Sequence, residues 1–235
     1  TQGVSSAASD VYKRQLSGRA KKSYLLRGKA VLSIPNPIDT KVYHPMDQGM
    51  ARELLGLPSG KRLLLFGALN VTDKRKGIDY LIEALRRMEK QDVELVVFGQ
   101  VKDDIRGLFP VPIHSMGYLS DESKIVALYN AVDMFITSSL EENLPNTIME
   151  SMACGTPCVG FEIGGIPEMI DHRVNGYVAN YKDAGDLANG IQWVLEHEDR
   201  LALSDACVKK VQENYTEEVV AKQYTALYEK LLKGE

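Results

Sequence analysis

The sequence predicts a doubly wound α/β domain on a mainly parallel sheet, running from about Met46 to Val211. Continuous apolar runs such as Arg62–Gly67 (RLLLFG) and Glu94–Gly99 (ELVVFG) fit strands buried on both faces. Segments with apolar residues at helical spacing separate those runs, which is the pattern of βαβ units. The size agrees: 235 residues, 44% hydrophobic and 26% charged, suit one large domain, or one domain plus part of another.

Taken in order, the first segment stands apart. Ser5–Gln15 (SSAASDVYKRQ) resembles the in-frame translation of a transposon adaptor used in sequencing libraries, and Thr1–Val4 fits translated index bases. Residues 1–15 are therefore expected to be non-native and to lie outside the fold. Leu16–Arg27 is a basic amphipathic stretch that reads as a helix ended by Gly28, and Ala30–Ile34 as a short apolar strand. Two prolines around Asn36 cannot continue a strand, so Pro35–Pro45 reads as a linker. Strand Arg62–Gly67 follows, then a helix over Lys76–Met88 with Ile78, Leu81, Ile82 and Leu85 on one face. Next come strand Glu94–Gly99, strand Ile113–Met116, helix Glu122–Ala131 and strand Met134–Thr137. Helix Asn146–Ala153, strand Cys158–Phe161 and helix Ala184–Leu195 complete the alternation. A last helix, Thr216–Leu232, comes after the sheet is finished and is expected to pack elsewhere, toward a further domain.

Composition narrows the function. A formal net charge of −4 supplies no basic field for nucleic acid, and the clusters Arg19–Lys22 and Lys74–Lys76 are too short to reverse that. No apolar run approaches the roughly 18–20 residues that span a bilayer. The N-terminal residues lack the order of a secretion signal. Cys154, Cys158 and Cys207 read as buried small hydrophobes of a reducing, cytoplasmic protein, not as a disulfide or metal framework.

In open parallel sheets, ligands bind beyond the carboxyl ends of the strands, where helix N-termini point free amides. Three loops have that position. Gly67–Gly77 (GALNVTDKRKG) offers a glycine for close backbone approach, and Lys74, Arg75 and Lys76 as charge for phosphate; a solvated charged turn explains it equally well. Ser138–Glu150 (SSLEENLPNTIME) carries Glu142 and Glu150, with Pro145 and Asn146 at a helix start. A carboxylate one turn into that helix can accept from two adjacent hydroxyls, as a ribose diol presents them. Gly160–Glu168 (GFEIGGIPE) is a glycine-rich turn that could face an anion, though a tight turn is the plainer reading. No Walker A or GxGxxG motif follows a strand, which disfavours ATP hydrolysis and dinucleotide redox chemistry.

Together, the run ENLPNTIMESMACGTPCVGFEIGGIPEMI resembles the signature of the retaining glycosyltransferases of family 4, also called group 1. IPNPIDTKVYHP is similar to that family's interdomain segment, and RKGIDYLIEAL to its phosphate-side helix. LSDESKIVALYNAVDMFITSSLEE and NGYVANYKDAGDLANGI match in kind and order, so the resemblance covers nearly all of Leu16–Leu232. It implies the GT-B architecture, two Rossmann-like domains facing across a cleft, of which this chain is the C-terminal half. Residues 16–45 would then be a remnant of the acceptor domain with the linker, 46–215 the nucleotide-sugar domain, and 216–235 a crossover helix.

Carried over by residue, the resemblance implies Glu150 on the donor ribose, Glu142 nearer the sugar or diphosphate, and Lys76 neutralising the diphosphate. Gly67, Lys74 and Arg75 fall in the phosphate loop, and Asn143, Leu144, Asn146 and Thr147 where backbone amides meet phosphate and sugar. Glu142 and Lys76 are the implied catalytic pair. Ala68 stands where the family usually has an arginine, and the loop to Lys76 is longer than usual; Lys74 and Arg75 are the candidate replacements. The implied reaction moves a sugar from a UDP-, GDP- or ADP-sugar, with retention, to a glycan, lipid-linked or small-molecule acceptor. No cofactor is expected, and the lack of an Asp-x-Asp pair points to metal independence. The implied setting is cytoplasmic, including the inner membrane face for a full-length enzyme, and this chain alone is expected to be inactive. A phosphorylase of the same architecture and a nucleotide-sugar sensor are the alternatives; Glu150 disfavours the first, and Ala68 alone supports the second.

Overall fold

Leucines 63, 64 and 65 are each wholly inaccessible to solvent, so the strand they share is covered on both faces. The computed structural model describes residues 22–26, 31, 33–70, 73–88, 92–100 and 106–233. Within them six strands, β1 (Arg62–Asn70), β2 (Val93–Gln100), β3 (Ile113–Gly117), β4 (Met134–Thr137), β5 (Cys158–Phe161) and β6 (Gly176–Ala179), form a parallel sheet in the order β3-β2-β1-β4-β5-β6. In register, Leu64 lies opposite Leu95 on one side and Met134 on the other. The chain runs outward from β1 to β3, then returns to lay β4 on the other side of β1. The order therefore reverses between β1 and β4, and beyond the carboxyl ends of strands at such a reversal open α/β sheets have their ligand crevice.

Eight helices are described: α1 (Gln48–Leu55), α2 (Ile78–Arg87), α3 (Glu122–Ala131), α4 (Asn146–Ala153), α5 (Ile166–Met169), α6 (Ala184–Leu195), α7 (Arg200–Asn214) and α8 (Glu217–Leu232). Alternation along β1 feeds two cores. Leu63 and Leu65 pack with Ala51, Leu128, Ile148 and Cys207 of α1, α3, α4 and α7. Leu64 and Phe66 pack with Leu81, Leu85, Leu187 and Ile191 of α2 and α6. Side-chain caps from Asp47, Asp121, Asp183, Asp199 and Thr216 start five of the helices.

Several expectations are corrected. β1 continues past Gly67 to Asn70, with a register shift against β2, so Ala68 is a buried strand residue and not the first residue of a loop. The helix expected over Lys76–Met88 splits into a 3₁₀ turn, Lys74–Lys76, and α2, because Gly77 takes φ 64° and breaks the run. The strand expected over Ala30–Ile34 is absent at described residues 31, 33 and 34, where no strand pairs with them, although Val31 and Ile34 are buried. Of the helix expected over Leu16–Arg27, the described part holds a 3₁₀ turn, Tyr24–Leu26. Residues 1–15 lie outside the described residues, as do residues 16–21 and 27 of that helix. β6, α1 and α7 were not expected as elements at all. α8 matches the last expected helix, yet of its apolar residues only Val220 is buried, and Tyr228, Leu231 and Leu232 are exposed.

Candidate functional site

The crevice collects the loops that follow β1, β4 and β5, and backbone contacts fasten each loop to the next. The Leu140 amide donates to the Arg75 carbonyl at 2.7 Å, and Ser138 Oγ to the Lys76 carbonyl at 3.0 Å. Gly77 makes this approach possible, since a Cβ there would stand 2.0 Å from the Ser138 carbonyl oxygen. On the other side the Gly165 amide donates to the Asn143 carbonyl, and a Cβ on Gly164 would stand 2.1 Å from the Glu142 carbonyl oxygen. Tyr181, just after β6, donates from its hydroxyl to the Leu140 carbonyl at 3.1 Å. The third loop thus serves as a brace for the second, in line with the plainer reading of its glycines.

The result of this fastening is an ion pair. Lys76 Nζ donates to Glu142 Oε1 at 2.5 Å, with the carboxylate mostly covered and the ammonium half-buried. Two of the expected site residues, 66 positions apart, are therefore neighbours at the order reversal. Their neighbours in the first loop face outward. Lys74 is exposed, and Arg75 spends its guanidinium on Asp73, whose carboxyl is held down to about 2 by that hydrogen bond. Gly67 has a packing reason of its own: the space of its missing Cβ is filled by the ring of Phe98, 1.8 Å away.

In the second loop, Leu144 turns its side chain into the core. Asn143 is exposed and receives the Gly165 amide through its carbonyl. Asn146 and Thr147 open α4, so their amides have no carbonyl of that helix to bond. Asn146 also touches the linker, accepting at Oδ1 from Asn36 Nδ2 at 3.4 Å.

Glu150 lies one turn into α4 and is largely covered. Tyr129 of α3, with no exposed surface, donates from its hydroxyl to Glu150 Oε2 at 2.8 Å. Burial raises the Glu150 carboxyl above its ordinary range, the Tyr129 hydrogen bond pulls the other way, and the charge of Glu122 raises it further. Tyr43, in the linker, is raised by its own burial and then by the charges of Glu150 and Glu122. The linker is fastened to α3 close by: the Met46 amide donates to Asn130 Oδ1 at 2.7 Å, and Asn130 Nδ2 to the His44 carbonyl at 3.1 Å. Cys154, Cys158 and Cys207 are all buried; burial pushes the Cys154 and Cys158 thiols up to about 12, which makes them inert packing groups.

Sequence reasoning missed Phe98, Tyr129, Tyr181 and the brace role of Gly164 and Gly165. Each acts across the fold on a residue far away in the chain, and aromatic residues within apolar runs read as ordinary core. The one available signal was the GG pair itself.

A six-stranded parallel sheet of this order, with its polar loops gathered at the reversal, is the Rossmann-like domain of the GT-B fold. Residues 60–197 match the model of the family described as "Glycosyl transferases group 1", and the chain belongs to that family. It is 24% identical over 213 residues to N-acetyl-alpha-D-glucosaminyl L-malate synthase of Bacillus anthracis, covering 88% of this chain and 55% of that enzyme. Among solved structures, a sucrose-phosphate synthase from Thermosynechococcus elongatus superposes with TM-score 0.74 at 25% identity, over 92% of this chain and 57% of that one. HepE of Anabaena, solved in complex with UDP-glucose, superposes with TM-score 0.73 at 21% identity, over 86% of this chain and 58% of that one, a likeness of fold. The chain spans about half the length of the curated relatives it matches.

Proposed function

We propose that this chain is the donor-binding half of a retaining glycosyltransferase that takes its sugar from a nucleoside diphosphate-sugar. The observation that carries this reading is the Lys76–Glu142 pair, at 2.5 Å, in the crevice where the strand order reverses. Paired with each other, the two charges are mutually neutralised. A diphosphate entering there offers Lys76 a stronger acceptor, and releases Glu142 to turn toward the hydroxyls of the sugar. As the bond from sugar to phosphate breaks, negative charge grows on the leaving diphosphate. Lys76 and the first amides of α4 are already in place to meet it. This charge stabilisation needs no metal, and we propose none. Glu150, deeper along α4, takes the ribose hydroxyls. That HepE, of the same fold, was solved with UDP-glucose supports a donor of this class.

The acceptor, whether glycan, lipid-linked or small molecule, would meet the other half of the enzyme, and inner-membrane proximity would follow only from a lipid-linked one. The test is calorimetric titration with UDP, GDP and ADP, and with the matching nucleosides. Lys76→Ala is expected to weaken the preferred diphosphate by about tenfold or more, the worth of one charge-assisted contact, and to leave the nucleoside unchanged. Equal losses for both, or none, would set the diphosphate elsewhere.

A further inference from the structure

We propose that Tyr129 is a positioning residue, which fixes the Glu150 carboxylate for the ribose diol and so sets the preference of this site for ribonucleotides. The inference rests on the proposed role of Glu150. A glutamate has three rotatable bonds, and a carboxylate that must accept two hydroxyls together cannot be left to sample them. Tyr129 is immobilised at every point. Its ring stands edge-on between Phe98, at 6.2 Å, and Phe135, at 6.0 Å. Its carbonyl accepts from Thr156 Oγ1 at 2.7 Å, which ties α3 to the turn after α4. Phe98 is in turn seated in the space of the missing Gly67 Cβ. One chain of contacts therefore runs from Gly67 of β1 through Phe98 and Tyr129 to Glu150.

The hydroxyl at the end of that chain donates to Oε2, and among the described residues this is the hydrogen bond the side chain of Glu150 receives. Oε1 and the second lone pair of Oε2 are left for a ligand. The phenol also opposes burial and the neighbouring Glu122 charge, both of which favour the neutral acid; a protonated carboxyl would lose acceptor capacity toward the diol. A buried tyrosine needs some acceptor in any case. What distinguishes positioning from mere satisfaction is whether loss of the hydroxyl is felt by the ribose.

The experiment compares each of UDP, GDP and ADP with its 2′-deoxy counterpart by calorimetric titration of the full chain, using the nucleotide that binds most tightly. The parent is expected to prefer the ribonucleotide by about tenfold, as one charge-assisted hydrogen bond would give. Tyr129→Phe keeps the ring and its packing, and is expected to cut that preference by about threefold or more at nearly unchanged melting temperature. The pH midpoint of ribonucleotide binding should also rise in Tyr129→Phe, with Glu122, Tyr43 and Cys154 still facing Glu150. A parent that binds both forms alike overturns the ribose role of Glu150, and that of Tyr129 with it. A parent preference that survives in Tyr129→Phe, with an unmoved midpoint, overturns Tyr129 alone.

Discussion

Glu150 is a carboxylate placed where its charge is disfavoured, and that placement has a sign that can be measured. Burial raises its protonation in the fold, so between the ordinary carboxylate value and the raised one the folded state holds more proton than the unfolded. Its contribution to stability is therefore complete below the unfolded value and is lost as pH rises through the folded one. A neutral isostere avoids that loss. Glu150→Gln is expected to melt at or above the parent at pH 7, and the gap should close as pH falls toward the ordinary carboxylate range. Binding should run the opposite way. In the ribose role proposed for Glu150, Glu150→Ala would remove two charge-assisted hydrogen bonds of about 1.5–3 kcal/mol each, part of which water recovers, so at least a tenfold loss of nucleotide affinity is expected. Glu150→Gln should lose less, because its amide oxygen still accepts. Should Glu150→Ala instead melt earlier and bind its nucleotide as tightly as the parent, the carboxylate merely offsets the dipole of α4.

The loops of the crevice owe their positions to glycines that let backbone lie on backbone. Gly164 takes φ 59° and has the Glu142 carbonyl where its Cβ would be. Gly164→Ala should cost about 1–2 kcal/mol for the left-handed conformation alone, more for the displaced carbonyl, and a measurable loss of diphosphate affinity through Glu142. Gly56, at φ 65° in the turn after α1, has nothing within 4 Å of its would-be Cβ. Gly56→Ala should show only the backbone cost, with affinity intact, in paired melting and titration. If both variants bind alike, the brace does not position Glu142. These loops also mark what the sequence could disclose. α3, β4, α4, β5 and α6 fall on the residues expected of them, because caps or prolines such as Asp121, Pro145, Pro157 and Asp183 punctuate clear apolar periods. α1 escaped because Met50 and Leu54 face solvent while it buries Ala51 and Arg52, so it has no apolar stripe to read. α7 presents a stripe only one residue wide, Leu203, Cys207 and Val211, and β6 is four residues headed by a glycine. Lys76, Glu142 and Glu150 are marked by loops beyond the strand ends, and their individual roles come from resemblance to the family's motifs. The Lys76–Glu142 pair, the Tyr129 hydroxyl and the Gly164 contact join segments that only the strand order brings together, and no local period encodes them.

Across the whole molecule the two ends of the sheet are built to opposite purposes. The carboxyl end holds the partly solvated Lys76–Glu142 pair, whereas the amino end holds a carboxylate that is buried and saturated. Asp133, at the head of β4 and 2% exposed in its side chain, accepts from the Leu63 amide at 2.7 Å and from Arg52 at 3.1 Å. Arg62 and Arg200 approach its other oxygen, so one group joins α1, β1, β4 and α7. Arg52 is buried with it, and its remaining donors reach the carbonyls of Ala131, Ser59 and Lys61. Arg62 and Arg200 are partly solvated and add little. The buried Arg52–Asp133 pair is the one whose disruption strands a charge, a loss of about 3–5 kcal/mol. Asp133→Ala should therefore lower the melting temperature by roughly 6–20 °C for a chain of this size. Asp133→Asn retains one acceptor and should fall less. Below its melting temperature Asp133→Ala should bind nucleotide as the parent does, because the node lies at the end of the sheet away from the crevice. Glu150→Ala should do the reverse, losing affinity with a much smaller fall in melting temperature, that of a Tyr129 hydroxyl left without its acceptor. Measured side by side, the two variants separate framework from site. A weakened nucleotide in well-folded Asp133→Ala would mean instead that the amino end of the sheet reaches through β1 and β4 to set the geometry of the crevice.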